Sequence, residues 1–474
     1  MNIKQTYERY KRKKILNLLL NTEPAKIIAM GEKMAIPAFR RAATRMPAYK
    51  KILNDHKVDI AKIRSVADFA KLPILSKKTL FPLFDIEELC MDGDLSVIQG
   101  AMTSSGFSGI YSFGINTPQN YKTIAMSIDM GLQANFDIDH KKTFFINALP
   151  MGVKVRTSLP LAETSVRDDM VLALLKKISP KFTQTIILSD PHFIKKIVDT
   201  GNAQKIDWEK LGVSFVLGED WFSESFRTYL AEETGLDLDK PNGRLIGTTM
   251  GVAELDLNIF HEGFETIQIR RAAVTDKKLR EALFGQDAEL VPIIFHYYPH
   301  RTYMEAVPEK SDDQELVFSM LSQEMAIPLI RYNSGDKGKL MTHTELAKIL
   351  TECGYERFIP KLKLPIVCVW GRKDRCLIAN GVKIYPEIIK QGLYENTTVA
   401  RTITGHFFLS NETDPQMEIQ LRKDIALKNI TDLDERIKKA LSQYKLPDMK
   451  IIIYPYADYP HAMELDYEKK FNNL

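Results

Sequence analysis

The sequence predicts an α/β protein with a large N-terminal body of several subdomains and a small C-terminal α+β domain. Three observations carry this expectation. From about residue 121 onward, strand and helix patterns alternate, as they do where helices layer on a parallel sheet. After Gly371 the order becomes helix, two strands, helix and strand, enough for an α+β domain of about a hundred residues. The chain has 474 residues, too many for one ordinary core. We therefore expect domains at 1–371 and 372–474.

The elements follow in order. The basic N-terminal segment reads as a surface helix, and its apolar part, ILNLLL, is too short for a signal-peptide core. Residues 26–53 favour helix, with Pro37 and Pro47 as interruptions, and residues 65–84 mix a short helix with a proline-marked turn. Residues 121–136 suit a helix and 141–150 a strand. Val166, Met170, Leu174 and Ile178 are spaced to share one helix face. FTQTIIL (182–188) is a strand stopped by Ser-Asp-Pro. Val213, Phe215 and Leu217 alternate as a strand that runs into Gly218–Glu219. Ser223 caps the next helix, whose Phe226 and Leu230 share a face, and Gly235 closes it. LPIVCVW (364–370) reads as one buried strand. In the tail, Pro386 starts a helix, and strands follow at 399–409 and 416–422. A helix at 432–444, striped by Leu433, Ile437 and Leu441 and capped by Thr431, precedes a strand at 449–454.

Composition removes several function classes. Lys plus Arg is 65 and Asp plus Glu 61, a net charge of +4, which argues against a dedicated nucleic-acid binder. Hydrophobic content of 45% and charged content of 27% exclude bulk disorder. No apolar run approaches the ~18 residues of a membrane helix. Cys90, Cys353, Cys368 and Cys376 have no CxxC spacing, so neither a zinc ribbon nor a disulfide scaffold is suggested, and a cytoplasmic protein is expected. The histidines do not cluster like metal ligands, since Pro299 breaks any helical pairing of His296 with His300. P-loop, GxGxxG, GxSxG and HExxH signatures are absent.

Five segments are left with chemistry to offer. TSSGFSG (103–109) is a Ser/Thr/Gly loop able to wrap N–H groups and hydroxyls around phosphate oxygens, although a surface turn has the same composition. LGEDW (217–221) sets Gly218 and Glu219 just past a strand, where open α/β sheets bind ligands; an acidic helix start fits equally. GTTMGVAEL (247–255) offers Glu254, a hard oxygen donor suited to Mg²⁺ or simply a solvated carboxylate. PLIRYNSGDKG (328–338) ends a strand in a Ser-Gly-Asp turn whose Asp336 can accept from ribose hydroxyls or merely shape the turn. GRKDRCLIANGVKIYPEII (371–389) combines glycines and charges as a hinge or a plain linker does.

The order of these segments resembles the adenylate-forming superfamily of acyl-CoA ligases, adenylation domains and luciferases. With RMPAYKK (45–51) and SVADFAKLPILSKKTL (65–80), it looks most like the phenylacetate–coenzyme A ligase branch. The resemblance implies that ATP activates a carboxylic acid to an acyl-adenylate and that a thiol, commonly coenzyme A, then attacks it. It implies that Ser104, Ser105, Gly106, Ser108 and Gly109 hold phosphates, and that Gly218, Glu219, Met250 and Gly251 border the adenine. It gives Glu254 a catalytic role as the Mg²⁺ ligand, and makes Asp336 and Arg372 bind the ribose region. Asp374 becomes the pivot of the C-terminal domain, and Gly381 sits in the loop that its swing brings in.

Some positions depart from the family pattern. Phe107 stands where the family prefers Ser or Thr, the lysine that usually follows the loop is missing, and Met250 replaces an aromatic. The C-terminal Pro-x-x-x-x-Gly-Lys signature is not visible. The tail reads YPHAMELDYEKKF (459–471), where Lys470, or else Lys469, is expected to supply the catalytic cation. These departures keep two alternatives open: transfer to a carrier protein or no thioester step, and a nucleotide-binding homologue without catalysis. The identity of the acid is not encoded in any motif; NALPMGVKV (147–155) and Gly247–Met250 are expected to line its pocket.

Overall fold

The computed structural model describes residues 3–104, 109–286, 290–308, 314–371, 376–411, 414–461, 467–468 and 473–474. The chain forms two compact units. The first combines Met1–Asp139, Val155–Ser158 and Gly247–Arg372; the second combines His140–Lys154, Leu159–Ile246 and Lys373–Leu474.

Strand β1 (Leu75–Ser76) and the hairpin of β2 (Gly100–Thr103) and β3 (Phe113–Asn116) lie in the first unit. The second holds β4 (Thr143–Asn147), β5 (Leu161–Glu163), β6 (Gln184–Ser189) and β7 (Val213–Leu217). The first resumes with β8 (Ile246–Val252), β9 (Asp256–His261), β10 (Ile293–Tyr297), β11 (Thr302–Pro308), β12 (Gln314–Met320), β13 (Tyr332–Met341) and β14 (Ile366–Gly371). The second closes with β15 (Leu377–Ala379), β16 (Val382–Ile384), β17 (Ile403–Ser410), β18 (Gln416–Leu421) and β19 (Lys450–Tyr454).

In the second unit β5, β4, β6 and β7 run parallel in that order. Each of β4, β6 and β7 is buried along nearly its whole length around an apolar centre, the pattern of strands covered on both faces. Helices Asp168–Lys177, Pro191–Ala203 and Glu224–Thr234 alternate with them, as expected. Ser223 caps the last of these through Phe226 N, and Gly235 ends it with a φ of +58°.

The helix at Asp168–Lys177 corrects the expected face. It buries Val171, Leu172 and Leu175, whereas Met170 and Ile178 are 41% and 40% exposed. A stripe spaced by four drifts ~40° per step on a 3.6-residue turn, so four such positions cannot share a narrow face. Pro37 is a second correction, since it lies inside the continuous helix Pro24–Arg45, while Pro47 does begin a new helix.

In the first unit the sheet order is β11-β12-β13-β14-β10-β9-β8, with antiparallel neighbours and β1 parallel beside β13. Residues 332–341 do not end a strand in a turn, as the sequence suggests. They are one strand, and Asp336 lies within it at an irregularity: Gly335 has a φ of +83°, and the register with β14 shifts between Lys337 and Gly338.

In the C-terminal segment β17 pairs antiparallel with β18, which pairs parallel with β19. Helix Leu433–Leu441 buries Leu433, Ile437 and Leu441 against Phe407 and Ile419. Its N-cap is Asp432 in a left-handed conformation, not Thr431, and no side chain caps it. Residues Thr397–Thr402 are helical rather than the start of a strand, with Asn396 bonding the Thr398 and Val399 amides as an N-cap does. Gly381 occupies the tight β15–β16 turn after Asn380, both with positive φ, the type I′ geometry of two-residue hairpins. Among the described residues, no helix is long and apolar enough to cross a membrane.

Candidate functional site

Glu254 sits in the short connection between β8 and β9, and it is buried, not solvated. Two hydroxyls hold its carboxylate: Ser112 Oγ donates to Oε2 at 2.9 Å, and Tyr332 OH donates to Oε1 at 2.5 Å. A charged acceptor makes such bonds stronger than neutral ones. The partners come from far apart in sequence. Ser112 precedes β3, and Tyr332 opens β13. Gly114 explains the close approach of β3, because a Cβ there would lie 1.9 Å from the Ala253 carbonyl oxygen.

The same neighbourhood receives a cation. Lys77 Nζ donates to Ser104 Oγ at 2.8 Å, and the Ser112 amide donates to that oxygen at 3.0 Å. Lys77 follows β1, whose Leu75 and Ser76 pair with Tyr332 and Asn333 of β13. Further along β13, Ser334 Oγ donates to Asp336 Oδ2 at 2.6 Å, and the Gly335 amide donates to Asn333 Oδ1 at 2.7 Å. The first unit thus joins four sequence-predicted features: the start of the Ser/Gly loop, the Met250–Gly251 strand, Glu254 and Asp336.

The fit of a divalent cation can be judged from the donor set. Mg²⁺ commonly takes one or two carboxylates together with substrate phosphates. A carboxylate whose oxygens each accept one hydroxyl keeps lone pairs for such an ion. Among the described residues, no group of three or more His, Cys, Asp or Glu side chains is arranged for a metal. The residues therefore fit an ion shared with substrate rather than one caged by protein.

Gly218 and Glu219 belong to the second unit, at the carboxyl end of β7. The Gly218 amide bonds the Ser189 carbonyl at 2.9 Å, and Glu219 has a φ of +67°, a left-handed conformation costly for a side-chain-bearing residue. Next door, Asp190 caps helix Pro191–Ala203 through the Phe193 amide at 3.0 Å. Burial pushes its pKa up to about 7, and the charges of Asp220 and Glu219 add to the rise. Asp220 accepts from Lys390 Nζ at 2.5 Å, and the His192 ring is 4.8 Å from that of His406. Burial holds the His192 pKa well below its ordinary value, assisted by His406 and Lys390.

Ser105, Gly106, Ser108, Arg372, Asp374, Lys469 and Lys470 lie outside the described residues. Gly109 has a φ of +76° and open space where a Cβ would stand. Lys77, Ser112 and Tyr332 were not identifiable from sequence. The available signals were Lys77 in LPILSKKTL and Tyr332 in PLIRYNSGDKG, segments that carried resemblance but gave these two residues no role.

No protein-family model matches the sequence, and no curated protein does. Solved structures do. The 2-hydroxyisobutyryl-CoA ligase in its postadenylation state, in complex with R3-HIB-AMP, aligns with a TM-score of 0.65 at 12% identity, covering 96% of this chain and 91% of that one. The same ligase with 2-HIB-AMP gives 0.61 at 12%, covering 94% and 88%. Its open form with 2-HIB-AMP and CoA gives 0.52 at 13%, covering 94% and 90%. With nearly the whole chain aligned to a ligase that carries acyl-AMP, the chain has the fold of the adenylate-forming enzymes.

Proposed function

We propose that this protein activates a carboxylic acid with ATP and then forms its coenzyme A thioester. In the first step a carboxylate oxygen attacks the α-phosphorus, the bond to the bridging oxygen breaks, and pyrophosphate leaves. In the second, the thiol sulfur attacks the acyl carbon and AMP leaves. The observation that carries the reading is Glu254, buried and oriented by Ser112 and Tyr332, with the Ser112 amide bonded to Ser104 Oγ, which also accepts from Lys77. Such a site offers fixed donors and charge for phosphoryl oxygens, which is most of what phosphoryl-group chemistry asks of a protein.

In this reading Glu254 holds Mg²⁺ together with phosphate oxygens, and the ion, when bound, neutralises phosphate charge. Lys77 takes over the role of the lysine missing after the loop. Ser104, Ser105, Gly106, Ser108 and Gly109 bind phosphates. Gly218, Glu219, Met250 and Gly251 border the adenine, and Asp336 and Arg372 bind the ribose. Residues 372–474 act as a cap pivoting at Asp374, with Gly381 in the loop it brings in and Lys470 as its catalytic cation. The phenylacetate–coenzyme A ligase branch rests on the motif resemblance alone. The altered tail supports a second reading, in which the acyl group passes to a carrier protein or stays as the adenylate.

The test is carboxylate-dependent ATP–pyrophosphate exchange across a panel of aryl, fatty and amino acids. Exchange with at least one acid is expected. ATP binding without exchange for any acid leaves the nucleotide-binding homologue as the better account. AMP release unchanged by added coenzyme A favours the carrier or adenylate-only reading.

A further inference from the structure

Two arms of the Glu254 neighbourhood depend on one register. Tyr332 bonds the Glu254 carboxylate from the start of β13, and Lys77 reaches Ser104 from just past β1. The strands that carry them meet over only two residue pairs, Leu75 with Tyr332 and Ser76 with Asn333. So short a pairing fixes little by itself.

Arg331 stands directly before Tyr332 and is buried. It is tied through both its backbone and its side chain. Its amide donates to Ser319 Oγ of β12 at 3.0 Å, and its carbonyl accepts from the Leu75 amide at 2.9 Å. Its Nε donates to Glu305 Oε2 of β11 at 3.0 Å, and its Nη1 donates to the Leu72 carbonyl at 2.6 Å. Leu72 and Leu75 lie on the approach to Lys77, so both strand β1 and the turn before it are fastened to this one residue. The planar guanidinium serves a carboxylate and a carbonyl together, which a lysine ammonium does less rigidly. The Arg331 backbone is left-handed, with a φ of +51°. Side-chain-bearing residues rarely adopt this conformation, and it persists where the surroundings enforce it. The bonds to Ser319, Glu305, Leu72 and Leu75 supply that enforcement.

We propose that Arg331 is a positioning residue of the ATP site, an inference that rests on the site proposed above. By holding Leu72 and Leu75 against the start of β13, it sets Lys77 and Tyr332 in one register, so that the Lys77 cation and the Glu254 carboxylate are aligned together. It acts through these two residues and not on the substrate itself.

The experiment measures ATP affinity by calorimetry and acid-dependent ATP–pyrophosphate exchange on the full chain. Arg331→Lys is made both in the native sequence and in a chain carrying Lys77→Met and Tyr332→Phe. In the native sequence it is expected to weaken ATP binding about fivefold and exchange about twentyfold, because the fork between Glu305 and Leu72 is lost. In the doubly substituted chain it should cost less than about twofold in either, because the residues it positions are already gone. A residue that only supported the fold would multiply with the other changes. Glu305→Gln keeps an acceptor for Nε without the charge, and should show the same pattern at about threefold. It decides the matter where Arg331→Lys does not fold. Equal losses in the two backgrounds, or native affinity and exchange in a folded Arg331→Lys, overturn the proposal. ATP binding without exchange in the wild type overturns the functional reading alone, because the affinity comparison still decides the role of Arg331.

Discussion

Two regions of the molecule, one in each unit, are built differently. Around Glu254 in the first unit, a buried carboxylate is held by uncharged hydroxyls from Ser112 and Tyr332. At the carboxyl ends of β6 and β7 in the second unit, Asp190, His192, Asp220 and Lys390 are gathered, and burial displaces the pKa values of the first two. Hydroxyl bonding fixes the geometry of the carboxylate. A cluster of displaced acids and bases ties structure to pH. The first arrangement suits a group that must be held still, while the second responds to its surroundings.

The largest effect should come from the first region. Glu254→Gln keeps the shape and removes the charge, so exchange activity should fall about a hundredfold or more, with ATP still measurable by calorimetry. A loss under tenfold would place the essential charge elsewhere. Lys77→Met should cost about ten- to hundredfold and raise KM for ATP, whereas Lys77→Arg should recover part of it. Equal loss in both variants would mean that Lys77 serves the loop's shape and not the phosphates.

Acid should separate the two regions by stability. In the first unit, burial lowers the pKa of His261 and of His300 to about 4, and that of His296 well below the ordinary value. The unfolded chain then binds more protons, so stability is complete above the unfolded value near 6.5 and is lost as pH falls towards 4. By pH 5 the loss is about 2 kcal/mol for a histidine shifted from 6.5 to 4. In the second unit Asp190 acts with the opposite sign. Its raised pKa makes the folded state the better proton binder between about 4 and 7, so acidification in that window favours folding and offsets the loss from His192. Amide exchange at pH 7 and pH 5, corrected for intrinsic rates, should lose protection in β9 and β10 more than in β6 and β7. The reverse order would contradict the sign assignment.

The smallest effect is expected from Tyr332→Phe. It deletes one bond to Glu254 while Ser112 keeps the other, so activity should fall about fivefold and stability by about 1 kcal/mol. A loss as large as that of Glu254→Gln would make Tyr332 a direct participant.

Legibility from sequence also divided along these lines. β7 and the helix after it were readable residue by residue, because alternation in Val213, Phe215 and Leu217, the Ser223 cap and Gly235 are local signals. Glu254 was readable as a motif, but its burial was not. Its partners lie 142 and 78 positions away in the chain, and Lys77 reaches Ser104 only because β1 joins β13 in parallel, a pairing with no local signature. Asp336 was placed in the right segment but the wrong structure, since a bulged strand and a turn share the same Asn-Ser-Gly-Asp chemistry. The 397–402 helix was missed because Thr-Thr-Val-Ala-Arg-Thr has strand propensity, and the Asn396 cap outweighs it.

The central claim is that an acid oxygen bonds directly to the α-phosphorus of ATP. The direct test uses a substrate acid carrying ¹⁸O in its carboxylate, with mass analysis of the nucleotide after turnover with coenzyme A. The account predicts one labelled oxygen in each AMP and none in pyrophosphate. Label in inorganic phosphate alongside ADP, or unlabelled AMP, would contradict it.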